Sequence, residues 1–301
     1  MTVINTNVSA TLASNAIARN ERAMGTAMER LSTGKRINSA ADDAAGLAIA
    51  SRMASQVKGL EQAARNTSDA ISMVQTIEGA GKEIVNILSR MKELAVQANS
   101  GTYSDTDRAA LDLEFNELRD EINRIAENTE WNGKKLMDGV ATGNVGQAGH
   151  TPTPINIQVG AGSSQTMQIS FKDWAVDYDN VTDANDRNGA YGNTTSAMNS
   201  AAVGVDSTTN ATTAIVALDK AIDNATAELA KYGAYMNRLE YASDNLLNVA
   251  QNTDASRSRI EDADYAAETS ELAKTQIIAQ AGTAMLAQAN QIKQTVLALL
   301  Q

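Results

Sequence analysis

The chain of 301 residues contains no cysteine, two prolines, one histidine and so few aromatics that Phe, Trp and Tyr together make up 4 % of it. Without cysteine there is no disulfide framework, no thiolate nucleophile and no thiolate-held metal, and the redox compartment is left open. The shortage of aromatic rings argues against a thick core around a ligand pocket. Ala, Leu, Ile, Val and Met must do the packing, and small side chains among them let long helices approach closely. Positive charge is also in deficit: 25 Lys and Arg against 36 Asp and Glu give a formal net charge of −11. Such a chain is repelled by phosphate backbones and anionic membrane surfaces, so nucleic acid is excluded as a partner. There is no run of about 18 apolar residues, which excludes membrane insertion as a helix. The opening MTVINTNVSA lacks the basic flank and apolar stretch of a cleavable secretory signal, so the usual secretion route is not indicated.

Both prolines, Pro152 and Pro154, sit together near the middle. Proline breaks helix interiors, so the sequence on either side is free to be helical. From Asp42 to about Asn99 helix formers run almost unbroken, with Ile71, Val74, Ile77, Ile84, Leu88, Met91 and Leu94 at three- and four-residue steps. A helix of that span is roughly 80 Å long at 1.5 Å per residue, beyond what a compact domain encloses. Asn99-Ser100-Gly101 ends it, and Ser104 with Asp107 reads as the cap of a second helix carrying Leu111, Phe115, Leu118, Ile122 and Ile125. So short a connection folds the second helix back antiparallel to the first.

Asn132-Gly133 is a turn signal, and alternation resumes after the prolines with Ile155, Ile157 and Val159, a turn over 160–164, then Met167, Ile169 and Phe171. This predicts a β-hairpin. From Lys172 to about Asp206 the pattern dissolves into Asp, Asn, Gly, Ser and Thr, which predicts an exposed insertion with little core. Periodicity returns with Leu218, Ile222, Ala225, Leu229, Tyr232, Met236, Leu239, Ser243, Leu246 and Ala250, alternating steps of four and three. Coiled coil and ordinary bundle share this spacing; both require partner helices, and the two N-terminal helices are the obvious ones.

The two ends differ from everything between them. Residues 2–18 carry no charged side chain, and residues 275–301 carry only Lys293. Each end is helix-prone, with glutamines such as Gln276, Gln280 and Gln288 set among Ile277, Ile278, Leu286, Ile292, Val296 and Leu299. A lone amphipathic helix of this length is marginal in water, so these ends need neighbours.

Other clusters read as solvated surface. The acidic run Asp177, Asp179, Asp183 and Asp186 lacks the spacing of an EF-hand. Glu261, Asp262 and Asp264 lie beside Arg257 and Arg259, which predicts local ion pairing. His150 stands alone in a Gly and Thr loop, without the second histidine a zinc hydrolase needs. Gly160-Ala161-Gly162 opens no helix, so it is a hairpin turn and not a phosphate loop. Asn193-Thr194-Thr195 fits the N-linked glycosylation pattern by coincidence. No residue set calls for a cofactor or metal, and none supports an enzyme.

Three segments carry a family resemblance. VINTNVSA near the start, RLSTGKRINSAADDAAGLAIA from Arg30 to Ala50, and the stretch from Ser256 to Gln301 that begins SRSRIEDADYAAETSELAKTQ resemble the terminal hallmarks of bacterial flagellins. The likeness covers roughly residues 1–171 and 211–301. It implies a mainly α fold, a long antiparallel helical coiled-coil bundle formed by the N- and C-terminal segments with a small β-hairpin region in the middle. It further implies an innermost layer of residues 1–40 with 256–301, an outer layer of 41–175 with 206–255, and a short variable surface insertion at 172–205.

The function the resemblance implies is assembly: a structural subunit that polymerises with itself into the extracellular flagellar filament used for motility. Repeated heterologous contact that does not close generates such a helix of subunits. Uncharged ends suit a crowded centre, where like charges would repel. The expected polymerisation core is Val3, Ile4, Val8, Leu12, Ile277, Leu286, Ile292, Val296 and Leu299. The expected partners are the type III flagellar export apparatus, a secretion chaperone, and the filament cap and junction proteins. The segment from Leu88 to Gln97 also resembles the stretch read by the vertebrate Toll-like receptor for flagellin, with Leu88, Arg90, Glu93, Leu94 and Gln97 as candidates and Ser89 where the family usually has glutamine. A plainer role for these residues is an Arg90–Glu93 pair one turn apart and Leu94 in the core. The alternative within the same class is a hook-filament junction protein, and from another class a binding module, for which the short insertion offers little surface.

Overall fold

A computed structural model describes residues 7–137, 154–174 and 203–298, with side chains through residue 291. The described residues form α1 (Val8–Thr33), α2 (Ala44–Ala98), α3 (Asp105–Asn128), β1 (Glu130–Trp131), β2 (Lys134–Lys135), β3 (Ile155–Gln158), β4 (Thr166–Ile169), α4 (Thr208–Glu261) and α5 (Tyr265–Ala298). The chain divides into two compact units, residues 59–249 and residues 1–58 with 250–301.

The unit of residues 59–249 holds the large apolar core. The predicted stripe of α2 is its centre: Val74, Ile77, Ile84, Leu88, Met91 and Leu94 are all fully buried. Burial of such a stripe, more than helix propensity, makes so long a helix stable. The helix ends where its sequence runs out of formers, and Arg108 closes the turn from inside. Its guanidinium donates to the carbonyls of Ala98 (2.9 Å) and Ser100 (3.1 Å), satisfying acceptors at the α2 terminus. The start of α3 is a capping box in which Ser104 and Asp107 exchange hydrogen bonds, Asp107 N–H donating to Ser104 Oγ and Ser104 N–H to Asp107 Oδ2. The Ser104 hydroxyl, and after it the Ser104 backbone N–H, hold the Asp107 carboxyl below its ordinary range.

α3 runs back along α2, as the short connection predicts, with Arg90 of α2 donating to Glu114 of α3 at 2.9 Å. α4 also lies antiparallel to α2: Lys92 meets Asp219 at 2.5 Å, and Thr212 donates to Asn99 Oδ1 at 3.1 Å. Its predicted seam faces the core, with Leu218, Ala225, Tyr232 and Leu239 buried and Ile222, Leu229 and Met236 packed against them. The partner helices expected for it are thus present.

Asn132 (φ 50°) and Gly133 (φ 73°) place both central residues of the β1–β2 turn in the left-handed region, the requirement that makes Asn-Gly the favoured pair for a two-residue hairpin. The second hairpin pairs Ile155 with Ile169 and Ile157 with Met167, setting the apolar residues of both strands on one face. Beyond it the structure corrects the reading of an insertion with little core. Trp174, Val203 and Val205 are buried in the main cluster, so the two ends of that stretch belong to the core. The Trp174 backbone N–H donates to Met137 O at 2.9 Å, and its indole N–H lies 3.3 Å from the Tyr232 hydroxyl. Residues 175–202, with the acidic run and Asn193, lie outside the described residues, as does His150.

In the other unit, Asn7 caps α1 by accepting from Ala10 N–H, and Gly34 (φ 72°) ends it with its N–H on Arg30 O. The left-handed stop needs glycine at this position. Asp43 accepts from Gly46 N–H at the start of α2 and Asp264 from Ala266 N–H at the start of α5. The breaks between helices are stitched together: Arg36 N–H donates to Glu261 O at 2.7 Å and Ala263 N–H to Gly34 O at 2.9 Å. Among the carboxylates expected to pair locally, Glu261 takes Lys35 at 2.5 Å and Arg257 at 4.0 Å, while Asp262 accepts from the Ser258 hydroxyl. Arg259 donates instead to the Ser256 hydroxyl.

Candidate functional site

The chain's charge-poor ends meet as an antiparallel pair, α1 against α5. Four contacts mark its length: Asn7 Nδ2 to Ala289 O, Ile17 beside Gly282, Asn20 Nδ2 to Thr275 O and Arg30 to Glu268. The residues turned inward keep a strict step of three and four on both helices, Ala10, Ala13, Ile17, Asn20, Met24 and Ala27 on α1 and Leu272, Thr275, Ala279, Gly282, Leu286 and Ala289 on α5. That spacing is a coiled-coil seam, and its small residues allow close approach.

The remaining apolar residues face away from the seam. Val8 is 57 % exposed, Leu12 62 %, Ile277 67 % and Met285 67 %, with Ile278 also exposed. Large side chains left in water on both helices, with no charge between Lys274 and residue 291 to solvate them, form the kind of surface that a further protein surface covers. Apart from Lys293, the charges of the pair lie toward its other end, from Arg19 onward on α1 and up to Lys274 on α5. There Arg30 meets Glu268 at 3.0 Å, and Tyr265 donates its hydroxyl proton to Leu31 O at 2.9 Å.

These positions sort the expected polymerisation core. Val8, Leu12 and Ile277 face outward, whereas Leu286 belongs to the α1–α5 seam, half-buried. Ile292 and Val296 lie in the helical span of α5, but their side chains are outside the described residues, as are Val3, Ile4 and Leu299. The pairing of the two terminal segments was expected from the resemblance, but sequence reasoning did not identify the residues of the seam. The alternation of three and four was there to find, but on alanine, glycine and asparagine, which carry little hydropathy signal.

The segment from Leu88 to Gln97 lies on α2 in the other unit. Leu88 and Leu94 are buried in the core, leaving Arg90, Glu93 and Gln97 as its exposed candidates. Arg90 is held by two carboxylates, Glu93 at 3.0 Å and Glu114 at 2.9 Å. These hydrogen bonds, Glu114 first, raise the guanidinium pKa further above its ordinary value. Gln97 donates to the Tyr103 hydroxyl at 3.1 Å.

Among the described residues no group of three or more His, Asp or Glu is arranged to hold a metal ion, and no helix is long and apolar enough to cross a membrane. The buried carboxylate Glu228 is matched by Lys231 at 2.8 Å and Lys172 at 3.9 Å. Beside it burial pushes the Tyr232 phenol well above its usual range. Glu228 and Tyr232 are buried in the core around Trp174, while Lys231 and Lys172 reach toward solvent.

Two known sequence regions match the chain: the bacterial flagellin N-terminal helical region over residues 4–142 and the bacterial flagellin C-terminal helical region over residues 215–300. The flagellin of Bacillus subtilis (strain 168) is 41 % identical over 314 residues, spanning 99 % of this chain and 99 % of that protein. The flagellin of Halalkalibacterium halodurans is 41 % identical over 301 residues, spanning 99 % of this chain and 100 % of that protein. A solved structure of a flagellar hook-associated protein from Vibrio parahaemolyticus superposes with a TM-score of 0.58 at 14 % identity, covering 73 % of this chain and 100 % of that one, a likeness of fold.

Proposed function

This chain belongs to the bacterial flagellin family, and on that premise we propose that the outward face of its α1–α5 pair is the surface through which it assembles. The protein is a structural subunit of the extracellular flagellar filament and polymerises with copies of itself. The observation that carries the residue assignment is the exposure of Val8, Leu12 and Ile277 on paired stretches, residues 8–18 of α1 and 275–292 of α5, that carry no charged side chain. Burying such residues between copies is favourable by about 1.5–3 kcal/mol for each large side chain, and the absence of charge removes the desolvation cost. The layering that the family resemblance implies goes with this reading: residues 1–40 with 256–301 innermost, 41–175 with 206–255 around them, and the insertion outermost, its margins at Trp174, Val203 and Val205 being part of the core beneath it.

The test is electron microscopy of purified monomer after addition of short filament seeds, beside a variant lacking residues 277–301. Long filaments from the full chain and none from the truncation are expected. Normal filaments from the truncated chain would refute the assignment to the termini. Soluble oligomers without elongation from the full chain would favour the hook-filament junction reading, which the fold likeness to a hook-associated protein keeps in view.

Export through the flagellar type III apparatus, with a secretion chaperone beforehand and cap and junction proteins at the filament ends, completes this reading. Recognition by the vertebrate Toll-like receptor is assigned to the exposed Arg90, Glu93 and Gln97 of α2, with Leu88 and Leu94 holding that face in place from the core. Arg90→Ala monomer is expected to lose activity in receptor reporter cells. An unchanged response removes this role.

A further inference from the structure

Two features mark the middle of the α1–α5 seam. Gly282 faces Ile17 so closely that a Cβ there would lie 2.9 Å from Ile17 Cγ1 and 3.5 Å from Ile17 Cδ1. The isoleucine is a knob, and the missing side chain of Gly282 is the notch that receives it. One turn further along α1, Asn20 is 9 % exposed, and its amide donates to the Thr275 carbonyl at 2.6 Å. Asn20 and Thr275 are the buried polar residues of this unit among the described residues, and they meet each other.

Elsewhere the seam sets small residues beside Met24, Leu272 and Leu286, and a slip of α5 by one heptad places Leu272 or Leu286 where Ala279 stands. Steric and polar singularities are what fix register in such a seam. Sliding α5 by seven residues in either direction brings Thr275 or Ala289 to the position of Gly282, and each carries the Cβ that Ile17 excludes. The Asn20–Thr275 bond ends on a backbone carbonyl, an acceptor that Leu272 and Ala279 also carry, so it ties the two helices together while the Ile17–Gly282 fit chooses the register.

We propose that the Ile17–Gly282 fit is a register lock that specifies which residues of α1 and α5 face each other, and hence which composite outer face the pair offers to the next copy. This deepens the filament reading and rests on it. The lock acts by positioning: Gly282 meets Ile17 inside the pair and so sets Val8 and Leu12 against the correct stretch of α5. Changing a lock residue therefore impairs assembly without altering the surface that assembles.

The experiment measures elongation from wild-type seeds for the wild type, G282A, I17A and the double variant I17A/G282A. Overpacking by one methyl in a close seam is expected to slow elongation of G282A about tenfold. Removing the knob should restore the double variant to within about threefold of I17A. A register readout accompanies it. Since the chain has no cysteine, I17C/G282C should cross-link within one chain in filaments under oxidising conditions, and I17C/A289C, one heptad away, should not. Equal elongation of G282A and wild type, a double variant no faster than G282A, or equal cross-linking of the two cysteine pairs would each overturn the lock. Failure of the wild type to elongate seeds would instead overturn the filament reading, so the two are separable.

Discussion

The two compact units use apolar side chains in opposite ways. In residues 59–249, Trp174, Tyr232, Phe115, Ile77, Leu88 and Met91 are all fully buried in one cluster. In the terminal unit the seam is made mainly of Ala, Gly and Asn, and the large residues Val8, Leu12, Ile277 and Met285 lie in water. The first pattern completes itself within one chain. The second hides its small residues and displays its large ones, the inverse of a self-sufficient core. The contrast teaches that stability and assembly are assigned to different units, so each should be breakable without the other.

Ile277→Asp combined with Leu12→Asp should sharpen this most. Two charges on the outward face are expected to abolish seeded elongation while the thermal transition followed by fluorescence of the buried Trp174 stays where it is. A shift of that transition would mean that the outer face also serves the main core. The reverse experiment comes next. Leu94→Ala removes a fully buried side chain and should cost about 2–5 kcal/mol in chemical denaturation of the monomer. Below its lowered melting temperature, elongation from seeds should persist.

Smaller effects belong to local devices of the main unit. Ser104→Ala breaks the capping box of α3 and is expected to cost about 1 kcal/mol in the same denaturation assay. Asp107→Asn reads the box from its other half. The Asp107 carboxyl is held below its ordinary pKa by Ser104, so its contribution is complete above the unfolded aspartate value and disappears as pH falls through the lowered folded one. The variant should therefore lose stability at neutral pH and lose less on acidification than the wild type; parallel acid curves would show that the box contributes nothing.

Legibility in the sequence followed the same division. The stripe from Ile71 to Leu94, the Ser104–Asp107 box, the Asn132-Gly133 turn, the hairpin and the seam from Leu218 to Ala250 all announce themselves through large apolar residues or turn chemistry, and the structure has each of them. Trp174, Val203 and Val205 were hidden because single anchors sit at the margins of a polar stretch and no period surrounds them. Arg108 was hidden because a buried guanidinium that caps a preceding helix looks, in sequence, like any surface arginine of a first turn. For the terminal pair the need for neighbours was legible from missing charge. The division of labour between Leu286 in the seam and Ile277 outside was not, since both sit in one run of alternating Gln and aliphatic residues.

The small seam also has a geometric consequence. Helix axes separated by Ala, Gly and Asn sit near the short end of the 8–10 Å range for packed helices, so each pair is a slender wedge. In the layering proposed above, the width of each wedge sets how many fit around the centre of the filament. Alanine-to-leucine replacements along the seam would fatten every wedge at once, so a local choice of methyl over isobutyl, repeated in every copy, becomes a dimension of the whole filament.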